Sequence, residues 1–358
     1  MNARIHYVDG LRGIAIIFVV FFHAYSRWGS IEPFRQNEFF HAIFSYGWLG
    51  VQLFFAISGY VIYMSILRSD NIIMFASSRY LRLAPAMFIA SILIYFTSFL
   101  IPERPLGTSN IIDFLPCLTF IDPGLLSKIT GFDVRSLDGS FWSLYVEVKF
   151  YFLAAIAFFI MKDKKLNFLL LLYVAWLLLL GAKYLPFNNF VFTKFLEALN
   201  YVGVQYYGWF MTGVYAFRFD SNRTLGNLVV LILMSISAAL TTSFGNVQIT
   251  VAASLTAILF LCPLFVTSVR NILSSSLLLF FGFISYPLYL IHQNIVTGLA
   301  IKLHNLLPSL PPYIYPVPFI ILVVLVAFIL AKLEPSLKFA IERFVPIRFL
   351  GFKILKRK

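Results

Sequence analysis

Residues 46–67 read YGWLGVQLFFAISGYVIYMSIL, a stretch of 22 positions without a charged side chain. A helix needs about 20 predominantly apolar residues to cross the hydrocarbon core of a bilayer, and this stretch supplies them. It is typical of the whole chain. Of 358 residues, 60% are apolar, 18% aromatic and 12% charged, with a mean hydropathy of +0.87. A soluble domain carries about 25% charged residues. With 19 Gly, 16 Pro and 2 Cys, collagen-like and disulfide-framework classes are excluded too, and polar low-complexity tracts of the disordered kind are absent. The expected fold class is an all-α integral membrane protein.

Ten apolar segments meet the length requirement, at about 11–27, 46–67, 80–101, 141–161, 166–184, 201–218, 226–243, 248–268, 277–299 and 314–332. Cytoplasmic loops collect Lys and Arg. With both termini in the cytoplasm, 19 of the 28 basic residues fall inside, eight outside, and Lys149 within a span. Topology thus accounts for the net charge of +13 and the pI near 9.7 without a nucleic-acid partner. Residues 334–358 form a basic cytoplasmic tail, of which Lys353–Lys358 are expected on anionic lipid headgroups. No cleavable signal sequence is apparent after the Ile14–Phe22 run, and Cys117 and Cys262 are expected to stay unpaired. Residues 1–358 read as a single transmembrane domain without internal repeats. Its longest connection, 102–140, is expected on the extracytoplasmic side and carries Glu103, Asp113, Asp122, Asp133 and Asp138. A loop of that length is often functional.

Ionisable and polar groups inside a membrane are costly, so each marks a candidate site. They gather in four places. Asp9 and Arg12 are three residues apart, so they can pair on one helix face. His23 follows Arg12 by eleven residues, about 16 Å along a helix; an imidazole there can take a proton or serve as a hydrogen bond between packed helices. Arg79 and Arg82, three apart at the expected start of the third span, offer two guanidinium forks beside a helix N-terminus, an arrangement suited to a phosphorylated ligand. Flanking charge is the plainer reading. Ser143, Glu147 and Tyr151 repeat every four residues, lining one face, with Trp142 suited to the membrane interface. Glu147 can orient an acceptor hydroxyl, act as an acid or base, or pair with a His or Arg of another helix. Last, Ser285, Tyr289 and His292 share one face of the ninth span, where Pro287 is expected to produce a kink. No phosphate-binding loop, dinucleotide fingerprint, nucleophile elbow or zinc pattern occurs, and no metal site is expected.

Together these patches resemble the membrane-bound acyltransferase family 3, which includes O-acetyltransferases of O-antigen and other exopolysaccharides. The resemblance covers nearly the whole chain. It rests on Asp9-Gly-Leu-Arg12-Gly with His23 beyond, Phe54-Phe55-Ala-Ile-Ser58-Gly59-Tyr60, Arg79-x-x-Arg82 with Pro85, Trp142-Ser143-Leu-x-Val-Glu147 with Phe150-Tyr151, and Ile284-Ser285-Tyr286-x-Leu-Tyr289-Leu-Ile-His292. It implies ten core helices in a bacterial inner membrane and transfer of an acyl group, usually acetyl, from cytoplasmic acyl-CoA to a glycan hydroxyl. Arg12 and His23 match the family's essential motif. Arg79 and Arg82 match its donor-binding pair, and Asp9 is placed with them through Arg12. Lys149 stands where the family more often has an uncharged polar residue. His23 and Glu147 are thus the candidate catalytic residues. Trp142, Ser143, Tyr151, Tyr289 and His292 are the candidates for contacting a glycan or lipid-linked glycan acceptor. Some members carry an attached esterase-like domain; none is expected here, and the resemblance then implies direct acylation or a separate partner in the envelope polysaccharide machinery. The competing class is a polysaccharide or lipid-linked transporter or flippase, and CoA binding separates the two.

Overall fold

The computed structural model describes residues 5–29, 31–32, 38–161, 166–182 and 190–344. Of the sequence expectations, the basic tail from residue 345 on lies outside these residues, as do Arg4, Arg35, Lys162, Lys164, Lys165 and Lys183 of the charge distribution. The described residues form helices and turns and no strand. In lipid a helix satisfies every backbone polar group within itself, which is what the apolar composition demands.

In order the helices are α1 (His6–Tyr25), α2 (Glu38–Phe44), α3 (Leu49–Leu67), α4 (Ile72–Leu100), α5 (Phe114–Thr119), α6 (Pro123–Thr130), α7 (Trp142–Ala155), α8 (Asn167–Ala182), α9 (Phe190–Val202), α10 (Tyr207–Ser221), α11 (Leu225–Ser243), α12 (Val247–Phe265), α13 (Thr267–Leu273), α14 (Ser276–Leu306) and α15 (Val317–Phe344). Among the described residues eight helical stretches are long and apolar enough to cross a membrane. The two other expected spans are helical but shorter, α8 with 16 residues and α10 with 15. Several boundaries differ from the hydropathy reading; α15, for one, runs to Phe344, twelve residues past the expected end. Helix α4 begins at Ile72, eight residues before its apolar run, because a helix continues through polar residues as readily as apolar ones. Helix α14 runs through Pro287 without ending there; in a membrane bundle neighbouring groups can satisfy the carbonyl that a proline leaves without a donor.

The chain divides into two compact units, each assembled from three stretches. The first takes the chain up to Ala15, Trp48–Ile72 and Ser143–Gly282. Its centre is α3 packed along α10, with α11 and α12 beside them. A Cβ on Gly59 would lie 1.9 Å from the Phe210 carbonyl oxygen, and one on Gly213 would lie 1.9 Å from that of Ala56. The two helices therefore touch backbone to backbone, which only small residues permit. Around this contact Phe210 stacks on Phe150, with ring centroids 4.1 Å apart, and on Phe55 at 4.7 Å.

The second unit takes Ile16–Gly47, Ile73–Trp142 and the chain from Phe283 on. It contains the whole 102–140 loop, whose short helices are tied by buried polar groups. Arg104, 5% exposed, donates to the carbonyls of Gly107 and Ile94, to Ser109 Oγ and to the Leu137 carbonyl. Buried Asp113 accepts from the backbone N–H groups of Asn110 and Arg135, both at 2.8 Å. Tyr286 of α14 donates to the Leu83 carbonyl of α4 at 2.9 Å. Within the loop a 3₁₀ turn, Ile111–Asp113, leads into α5.

Candidate active site

In the second unit, α1 and α14 bring two imidazoles together. His23 Nδ1 lies 3.1 Å from His292 Nε2, and the rings meet edge to face with centroids 4.8 Å apart. His23 Nδ1 is also 2.9 Å from the Val19 carbonyl one turn back, and His292 Nδ1 is 2.8 Å from the Tyr289 carbonyl. His292 is 1% exposed, whereas His23 is half-buried. The turn of α14 bearing His292 is held by the loop segment before α7. Tyr289 donates its hydroxyl to the Ser140 carbonyl at 2.9 Å, and Ser140 Oγ lies 3.3 Å from the Tyr289 carbonyl. Asp138, fully buried, accepts from Ser140 N–H and Ser140 Oγ, each at 2.8 Å, and from the Asn294 backbone N–H at 3.3 Å. Burial pushes the Asp138 carboxyl up to about 6, against the lowering effect of those hydrogen bonds and of Arg104.

Glu147 belongs to the first unit. Its Oε1 accepts from two hydroxyls, Ser58 Oγ on α3 and Tyr151 OH one turn along α7. The i,i+4 face read from the sequence is therefore real for Glu147 and Tyr151. Among the described residues Glu147 forms no ion pair. Lys149 donates to the Tyr201 carbonyl at 2.8 Å and lies over that tyrosine's ring. Ser143 is buried and Trp142 is 41% exposed.

Asp9 and Arg12 pair as their spacing requires, Nη1 to Oδ1 at 3.1 Å, with Asp9 in the first turn of α1. This helix is unbroken from His6 to Tyr25, so the spacing from Arg12 to His23 is a helical one. Arg79 and Arg82 need a correction. Because α4 starts at Ile72, they stand in its second and third turns and do not flank the open N–H groups of its first. Their charge remains without the helix-end contribution. Arg79 is half-buried with Nε 3.4 Å from Ser78 Oγ, and Arg82 is exposed and within electrostatic reach of Glu334.

Two groupings escape a reading of the sequence. One is Asp138 with Asn294, 156 residues apart. The other lies in the first unit, where Asp220 accepts from Tyr60 OH at 3.0 Å, from Tyr7 OH at 3.4 Å and from Arg270 at 3.2 Å, with the guanidinium above the Tyr7 ring. These four residues come from four helices with no motif linking them. Among the described residues no three His, Cys, Asp or Glu side chains gather as metal ligands would.

Comparison with known proteins bears on this arrangement. The acyltransferase domain of family 3 matches residues 5–332. An O-acetyl transferase of Shigella phage Sf6 is 29% identical over 178 residues, covering 49% of this chain and 52% of that protein. The O-acetyltransferase OatA of Staphylococcus aureus is 27% identical over 188 residues, again 49% of this chain but 28% of its own length. The matched region thus spans about half of the first relative and about a quarter of the second. No solved structure matches. With the domain match running through both units and through all four polar patches, the chain belongs to the membrane-bound acyltransferase family 3.

Proposed function

We propose that this multi-pass membrane protein is an O-acetyltransferase of the bacterial inner membrane that uses acetyl-CoA as donor and a hydroxyl of a cell-envelope glycan, of the O-antigen or exopolysaccharide kind, as acceptor. The observation that carries the reading is His23: an imidazole held inside a membrane-length helix, fixed through Nδ1, with an Nε2 that makes no hydrogen bond with a described residue. Such a nitrogen suits a general base. The likeness to two O-acetyltransferases supports the acetyl group and the oxygen acceptor.

The roles follow from the chemistry of the groups. Arg79, Arg82 and the Asp9-paired Arg12 are the cations suited to the phosphates of the donor. The acceptor hydroxyl gives its proton to His23 Nε2 as its oxygen bonds to the thioester carbonyl carbon. The carbon–sulfur bond breaks, and the leaving thiolate takes the proton from His23. The products are the acetyl ester and free CoA thiol. Trp142, Ser143 and Tyr151 are the acceptor-side candidates, with Glu147 able to orient a hydroxyl through the oxygen that Ser58 and Tyr151 already engage.

The test is acetyl-CoA binding and acetyl transfer in detergent or nanodiscs for wild type, His23→Ala and Arg79→Ala/Arg82→Ala. The expected result is transfer lost by about 100- to 10,000-fold in His23→Ala with donor binding kept, and donor binding lost in the double variant. Wild-type transfer by His23→Ala would sink the assignment. A folded wild type that binds no CoA but carries glycan or protons across vesicles would replace the enzyme with the transporter reading.

A further inference from the structure

Hydrogen-bond bookkeeping at the two imidazoles leaves a single protonation pattern. A carbonyl oxygen only accepts, so the His292 Nδ1 beside the Tyr289 carbonyl carries a hydrogen. In the neutral ring its Nε2 then has the lone pair. The His23 Nδ1 beside the Val19 carbonyl carries a hydrogen for the same reason. That one hydrogen is shared between the Val19 carbonyl at 2.9 Å and His292 Nε2 at 3.1 Å, so the contact between the rings runs from His23 Nδ1–H to His292 Nε2. The reverse would place a donor against a donor. His23 Nε2 is left as the basic nitrogen.

From this geometry we infer that His292 is a positioning residue for His23, and not a residue that contacts the acceptor. The inference rests on His23 being the base of the transferase. When His23 Nε2 takes the acceptor's proton the ring becomes an imidazolium, and its positive charge spreads to Nδ1–H. His292 Nε2 is the acceptor that faces that hydrogen. It stabilises the imidazolium and keeps Nε2 aimed in one direction, as a carboxylate does for the histidine of a hydrolase triad. The support continues outward. His292 Nδ1–H is held by the Tyr289 carbonyl, and the turn that presents this carbonyl is bound by Ser140 and Asp138. The loop segment before α7 thereby sets the aim of the base through α14. The sequence shows none of this, since His23 and His292 are 269 residues apart.

The experiment compares wild type with His292→Ala and His292→Gln, alone and on a His23→Ala background. Gln retains an acceptor oxygen at the distance of Nε2 but takes no proton. The expected result is that His292→Ala lowers kcat by at least about 10-fold, the lower end of what losing a partner that orients a metal-bound imidazole costs, while KM for donor and acceptor stays within about twofold. His292→Gln recovers most of kcat. On the His23→Ala background neither substitution costs more. A rise in KM for the acceptor with kcat kept would make His292 a binding residue, and unchanged kinetics would give it no role; either result overturns the inference. A further readout does not depend on activity. In the ¹⁵N-histidine spectrum of wild type, His23 should be protonated at Nδ1 and coupled through the hydrogen bond to His292 Nε2. An Nε2-protonated His23 ring, or no coupling, refutes the pairing even if the transferase reading itself has failed. Loss of transfer in His23→Ala beside unchanged transfer in His292→Ala keeps that reading and removes this one.

Discussion

Asp138→Asn isolates the buried carboxyl that binds the 102–140 loop to the His292 turn. Asp138 is fully buried and its carboxyl is pushed up to about 6 from a reference value of 3.8. Between these values the folded protein holds a proton that the unfolded chain has released. Stability must therefore fall as pH rises from about 4 to about 6 and level off above that. At about 1.4 kcal/mol for each tenfold change in proton affinity, the full effect is about 3 kcal/mol, of which about 2 kcal/mol develops between pH 4.5 and 7. Asn does not titrate, so this contribution disappears in the variant. Its amide can still accept from Ser140, although it sets a donor against the Asn294 N–H. The offset between the two proteins is thus a compound quantity, and the change of that offset with pH is the prediction. Cys117 provides the reporter. It is 1% exposed within the same loop, and burial pushes its thiol up to about 12, so it reacts only when the loop opens. In a Cys262→Ser background it is the sole thiol, since the chain has 2 Cys. Labelling with a pyridyl disulfide, comparing variant and wild type at the same pH, cancels the reagent's own pH dependence. The ratio of variant to wild-type labelling rate should fall about 25-fold from pH 4.5 to pH 7, because wild type loses protection while the variant does not. A ratio that is flat, or that rises, refutes the reasoning.

Three other outcomes follow from the geometry. Gly59→Val should lower stability by about 1–3 kcal/mol or more, read as the unfolding midpoint in detergent, because its Cβ would meet the Phe210 carbonyl of α10 at 1.9 Å; an unchanged midpoint would disprove the close α3–α10 contact. Glu147→Gln keeps an oxygen for Ser58 and Tyr151, so its midpoint should stay near that of wild type while kcat drops at least about tenfold if the carboxylate serves the chemistry; full activity would leave Glu147 a structural role only. Arg270→Met removes the cation beside Asp220 and should destabilise the first unit by about 1–3 kcal/mol, and Asp220→Asn in the same background should restore part of the loss; additive losses would show that the two side chains are not coupled.

Features that depend on neighbours along the chain were legible before any helix met another. Apolar runs of membrane length forced helices, because lipid offers no partner to an open backbone group. The Asp9–Arg12 pair and the Glu147–Tyr151 bond were legible from spacings of three and four, since helical periodicity places such residues on one face. The start of α4 was not legible, because hydropathy marks where a helix is apolar and not where it begins, and the arginines at 79 and 82 consequently lost their place beside its open end. Nor was it legible that His23 would meet His292, that Ser58 would meet Glu147, that Asp138 would bind the backbone of Asn294, or that Tyr7, Tyr60 and Arg270 would converge on Asp220. Periodicity fixes which residues share a helix face but not which face of which helix it will oppose. Only tertiary structure decided those pairings, through the close approach that Gly59 and Gly213 permit and through the buried hydrogen bonds that each helix had to complete against another.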